Sequence, residues 1–220
     1  MTKIGLLYTA VFVVAKAAAI VVAVTLRECV KAYASSSLGD PLPGRNGRIT
    51  LNPLKHLEPV GAFLLLVCGY GWGQPVQTSP MFYRNKRRDT LITHLTPILV
   101  NLALGLGSGL ALRFVFSGSG LPSEYDAVSA AGLAAAFGYS FMAYMAVINV
   151  KLALFNLIPV YPMDGARILA LFIKPSTQVG LAKMETILLF IACAAAAFGY
   201  LDMVFGPVVS GLTGASYLFM

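Results

Sequence analysis

Apolar residues in this chain come in long, nearly unbroken runs, not at the alternating or three-and-four spacing of half-buried elements. The first run covers residues 4–34, with Lys16 in its middle. It exceeds the ~20 residues that carry a helix across a bilayer. Residues 35–57 are polar and rich in turn signals, with Gly39-Asp40-Pro41 followed by Pro43 to Gly47. Within them Arg48-Ile49-Thr50-Leu51 has the composition of a short strand, stopped by Asn52-Pro53. The apolar segment 59–72 is short for a span and interrupted by Pro59, Gly61, Gly69 and Gly71, with Gly73 just after it. Its breaks predict a re-entrant hairpin surrounded by protein. Further spans are expected over residues 90–116, 128–155 and 184–204, with an irregular turn at residues 156–165. The tail after Pro207 reads as apolar and too short to cross. The pattern predicts an all-α integral membrane protein, about four transmembrane helices plus one hairpin, in a single domain over residues 1–220.

Composition agrees: 58% of residues are hydrophobic and 11% charged. The net charge of +7 changes the picture only through its distribution. Arg84, Lys86, Arg87 and Arg88 mark one loop. Four spans place them on the cytoplasmic side with Arg27, Lys31, Arg45, Arg48, Lys55, Arg167, Lys174 and Lys183. The N-terminus and the loop 117–127, with Glu124 and Asp126, then lie outside. The basic residues are not interleaved with aromatics, which excludes a nucleic-acid partner. Membrane lipids and other membrane proteins are the expected partners. Cys29, Cys68 and Cys193 sit in apolar context and are odd in number, so free thiols are expected. The first run shows no separable signal peptide and reads as a retained helix.

Candidate chemistry sits at the end of the first run. Arg27 and Lys31 are four residues apart and share a helix face, with Glu28 beside them. A His-Glu-x-x-His zinc helix has this layout, but here both ligand positions hold cations.

The motifs that follow resemble, in order, the site-two protease family of intramembrane zinc metalloproteases in its compact bacterial and archaeal branch. Residues 26–32 stand where that family has His-Glu-x-x-His-Ala. Gly71-Trp72-Gly73-Gln74-Pro75-Val76 resembles its Gly-Trp-(Ala/Gly)-Lys-Pro-Val loop. Thr96-Pro97-Ile98-Leu99-Val100-Asn101 is similar to its Ala-Gly-Pro-x-x-Asn helix. Asn156-Leu157-Ile158-Pro159 through Asp164-Gly165 resembles its Asn-x-x-Pro…Asp-Gly motif. The resemblance covers about residues 20–170, leaving 184–220 as an additional helix and tail, and it implies a prokaryotic plasma membrane.

In that family two histidines and the Asp-Gly aspartate hold zinc, and the glutamate activates the metal-bound water. Carried over, the glutamate is Glu28, the aspartate is Asp164, and the histidine positions are Arg27 and Lys31. Arginine offers zinc no lone pair, and lysine offers one only when deprotonated. The expectation is a degenerate site with no zinc and no other cofactor, in a pseudoprotease acting as a binding or scaffold subunit. Two other readings stay open. One is an active metalloprotease with non-standard ligands; the other is a transport or ion-conducting subunit, suggested by Lys16 and Lys151 inside spans. The formal charges of Arg27, Lys31, Glu28 and Asp164 cancel, as they do in the zinc site. This predicts a structural charge cluster tying the first span to the end of the third. Alternatively, both cations reach lipid phosphates and never meet Asp164. His56 falls where the family often has a loop histidine, and His94 reads as a core or boundary histidine.

Overall fold

The structure, a computed structural model, describes residues 3–115 and 129–214. Helix α1 (Lys3–Ser37) follows from the first apolar run. A short α2 (Leu42–Arg45) and the ten-residue α3 (Pro59–Cys68) come next. Helices α4 (Lys86–Val115) and α5 (Ala130–Leu157) are the other two long ones. The chain closes with α6 (Asp164–Ala170), α7 (Pro175–Lys183), α8 (Glu185–Ala197) and α9 (Tyr200–Thr213). Three helices are long and apolar enough to cross a membrane, or four if α7 and α8, bent by 62°, form one broken span. The expected loop 117–127 lies outside the described residues.

The C-terminal half of α5 is the hub. Met145 to Ala153 are all buried, and α5 packs on α1, α4, α6 and α9. Ala19, Ile20, Ala23 and Val24 of α1 meet Met145, Ile148 and Leu152 of α5, with Leu65 of α3 between them. Gly105 lets α4 approach closely, since a Cβ there would lie 2.6 Å from Val150 Cγ2. Small residues serve this purpose where lipid supplies no hydrophobic drive for helix association. Outward faces stay apolar, with Val60, Phe63 and Val67 on α3 and Leu99, Leu106 and Leu110 on α4 exposed.

The segment 59–74 doubles back on itself. Gly69 ends α3 with φ +76°, and the Gln74 N–H donates to the His56 carbonyl at 2.7 Å. A Cβ on Gly61 would meet the Trp72 carbonyl oxygen at 2.2 Å, and one on Gly71 would meet that of Gly61 at 2.2 Å. Backbone thus lies directly on backbone. The chain beyond the hairpin is fixed by Asp40, which accepts from Ser35 Oγ at 2.9 Å and from the Ser79 N–H at 2.8 Å.

Two expectations fail. Residues 48–51 form no strand, because no neighbouring edge is there to pair them. Side chains serve that backbone instead: His56 Nε2–H donates to the Thr50 carbonyl at 2.7 Å, and Arg48 donates to the Gln74 carbonyl. Residues 184–204 are not one helix. Gly199 takes φ +77°, a left-handed conformation that ends α8 and starts α9 in a new direction. The segment after Pro207 is too short to cross, as expected, and is helical as far as Thr213. Pro207 lies inside α9, which packs back on α4 and α5.

Candidate functional site

The last turns of α1 bring Arg27, Glu28 and Lys31 inward, where α4 and α6 close over them. The turn after α5 ends at Met163, buried against Tyr70 and Phe155, so Asp164 enters as the first residue of α6. Gly165 permits this, since a Cβ there would lie 2.2 Å from the Leu157 carbonyl oxygen.

The four sequence-derived positions meet. The Arg27 guanidinium donates through Nη1 to Glu28 and through Nη2 to Asp164. Lys31 Nζ donates to Asp164 Oδ1 at 2.6 Å. Arg27, Glu28, Lys31 and Asp164 are each at most 5% exposed. Burial alone would raise the Asp164 carboxyl. Lys31 first and Arg27 next outweigh it and, with the His94 hydrogen bond, hold the group well below the usual carboxylate range. Glu28 Oε2 and Arg27 Nε are buried without hydrogen-bond partners.

His94 is the buried core histidine the sequence suggested, and it also belongs to this site. It is 4% exposed, and its Nδ1 lies 2.7 Å from Asp164 Oδ1. The sequence marked it only as an ionisable group two turns inside α4 from the basic loop. The contact joins residues 70 positions apart and leaves no local trace. His56 is spent inside its own loop. The three cysteines are unpaired and partly buried.

The lysines inside the spans part company. Lys16 lies over the Tyr144 ring at 5.9 Å. Lys151 binds Asp202 of α9 at 2.7 Å and sits 4.5 Å from the Tyr70 ring centroid, while Tyr70 Oη–H donates to the same Asp202 at 2.7 Å.

The resemblance implies zinc, and the residues present do not fit it. Zinc takes lone pairs from about four donors in tetrahedral array. Arg27 and Lys31 present N–H groups instead, and both Asp164 oxygens already accept from cations. Among the described residues, no three His, Cys, Asp or Glu side chains come together in a way that would hold a metal ion. What remains is a neutral-sum charge network beside an open cavity of about 420 Å³.

Residues 12–198 match the family described as peptidase family M50. The chain is also 33% identical over 167 residues to a Bacillus subtilis (strain 168) protein described as "Putative zinc metalloprotease YwhC", covering 76% of this chain and 73% of that one. No solved structure matches. An all-α membrane fold with site-two protease motifs in order, matched to the family over most of its length, makes this chain a member of peptidase family M50.

Proposed function

We propose that this protein is a catalytically inactive M50 homologue that acts in the membrane by binding, as a scaffold subunit for membrane partners, and that it carries no zinc. One observation carries the reading: the Arg27 guanidinium bridges Glu28 and Asp164, the carboxylates that would serve as general base and metal ligand. A cation already occupies the place between them. A dication entering there would face Arg27 and Lys31 while losing the oxygens they hold, and Glu28 would have no metal-bound water to activate. The hairpin, the Asp-Gly turn and the cavity persist without this chemistry, which fits a protein kept for what it holds.

The test is a mild purification of the full chain from membranes. Zinc per chain, co-purifying polypeptides and chelator-sensitive cleavage of a reconstituted membrane substrate are measured on one sample. Zinc far below one per chain, no cleavage and a stoichiometric membrane partner are expected. One zinc per chain together with chelator-sensitive cleavage would establish instead an active metalloprotease with unusual ligands.

A further inference from the structure

Two concavities adjoin at the first turn of α8. One is the polar cavity beside the charge cluster, with Lys31 and His94 buried in its floor and Thr78, Arg167 and Glu185 around it. The other is an apolar groove of about 460 Å³ between α3 and α8, lined by Phe63, Leu64, Trp72, Leu189 and Phe190 among others. The same two chain segments bound both. Glu185 lines the cavity and Thr186 the groove; Pro75 lines the cavity and Trp72 the groove.

We propose that this polar-to-apolar site holds one phospholipid with a zwitterionic, amine-bearing headgroup. Its phosphate binds Lys31 and Arg167, its ammonium faces Glu185, and one acyl chain lies along the groove. Charge supports the head. Lys31 has three N–H donors and gives one to Asp164, so donors remain for a phosphate. Glu185 is the acidic residue in the cavity wall, set apart from the cluster by its place on α8.

Length supports the tail. The groove follows α8 from Thr186 through Leu189, Phe190, Cys193 and Ala194 to Ala197, one face of the helix. That stretch rises about 16 Å. It equals about half of a ~30 Å hydrocarbon core, one leaflet's share, whereas a client spanning helix needs the whole. Depth agrees too. Lys31 lies about 9 Å along α1 from its end at Ser37, and His94 about 12 Å along α4 from its start at Lys86. With those helix ends at the membrane surface, the cavity floor falls near the boundary between headgroups and hydrocarbon. The inference goes beyond the proposed function and does not depend on loss of catalysis.

The full chain, washed free of lipid in non-ionic detergent, is titrated with equal amounts of phosphatidylethanolamine, phosphatidylglycerol and phosphatidylcholine and read by native mass spectrometry. One phosphatidylethanolamine per chain is expected. Arg167→Ala with Glu185→Gln should weaken retention about tenfold. Ala194→Trp, which fills the groove, should do the same at an unchanged unfolding temperature. Equal or better retention of phosphatidylglycerol or phosphatidylcholine overturns the headgroup assignment. Soluble phosphoethanolamine that competes equally well, with no effect of Ala194→Trp, reduces the site to a free-anion cavity and overturns the lipid. Should Ala194→Trp not fold, a phosphatidylethanolamine with a photoreactive acyl chain reads the wild-type groove directly. Labelling of Phe190 or Cys193 supports the proposal; labelling confined to other faces, or a bound polypeptide excluding lipid from the groove, refutes it.

Discussion

The protein buries two cationic arrangements, and they are built differently. Around Asp164, Arg27, Lys31 and His94 converge from α1 and α4 on one carboxylate that is 1% exposed. Around Asp202, Lys151 and Tyr70 meet a carboxylate whose side chain is 37% exposed. The first is enclosed and linked from several elements, so removing one member strands the others in a low-dielectric interior. In the second, Lys151 is buried but Asp202 is reached by water or headgroups on one side, so solvent can partly take the place of a lost Asp202. The enclosed cluster fixes the arrangement of α1, α4 and α6. The open one fastens α9 to α5 and the hairpin.

The comparison breaks most readily at Asp164. Asp164→Ala leaves Arg27 and Lys31 buried without their shared partner, and should lower stability by about 3–5 kcal/mol. Thermal unfolding in detergent measures this; a loss below about 1 kcal/mol would mean that lipid or water already solvates the cluster.

Acid sharpens the contrast. The folded Asp164 carboxyl lies below its unfolded value, so its stabilisation is present above about pH 4 and is lost as pH falls further. The contribution falls by about 1.4 kcal/mol per pH unit there. The unfolding midpoint followed from pH 6 to pH 3 should drop, and Asp164→Asn should flatten that drop. Parallel curves for the two proteins would assign the acid sensitivity to other carboxylates.

Asp202→Ala should have the smallest effect, about 1 kcal/mol, the size of a partly exposed pair together with a lost tyrosine hydrogen bond. It should appear as local opening. Hydrogen exchange would rise in α9 and in residues 69–74 while α1 and α4 stay protected. Exchange rising equally in α1 would show that the two arrangements are one cooperative unit.

The sequence disclosed what chain-local physics determines. Spans α1, α4 and α5 were legible because apolar length alone separates a crossing helix from a core helix. The hairpin was legible because Gly61, Gly69 and Gly71 break an apolar run in a way that requires close backbone contact. What stayed hidden was tertiary. Gly199 follows an alanine-rich run in which a left-handed residue and an ordinary helical glycine look alike. Pro207 lies inside α9, and the sequence showed its segment only as apolar and short; a membrane helix tolerates proline where neighbouring helices compensate for the lost backbone bond. Asp202 gave no sign of pairing with Lys151, nor His94 with Asp164, because each contact crosses between helices. Arg27, Glu28 and Lys31 were visible through their spacing, and Asp164 through its motif.

The separation of Arg27 from Asp164 bears on how the chain is made. They stand 137 residues apart. At about 5–20 residues per second, a ribosome that has produced Arg27 needs roughly 7–27 s more to produce Asp164. For that interval a membrane-length helix holds two cations without the carboxylate that receives them both in the folded protein. Their place in the last turns of α1 lets lipid phosphates serve as interim counter-ions. The same pair nearer the middle of α1 would meet hydrocarbon during that wait.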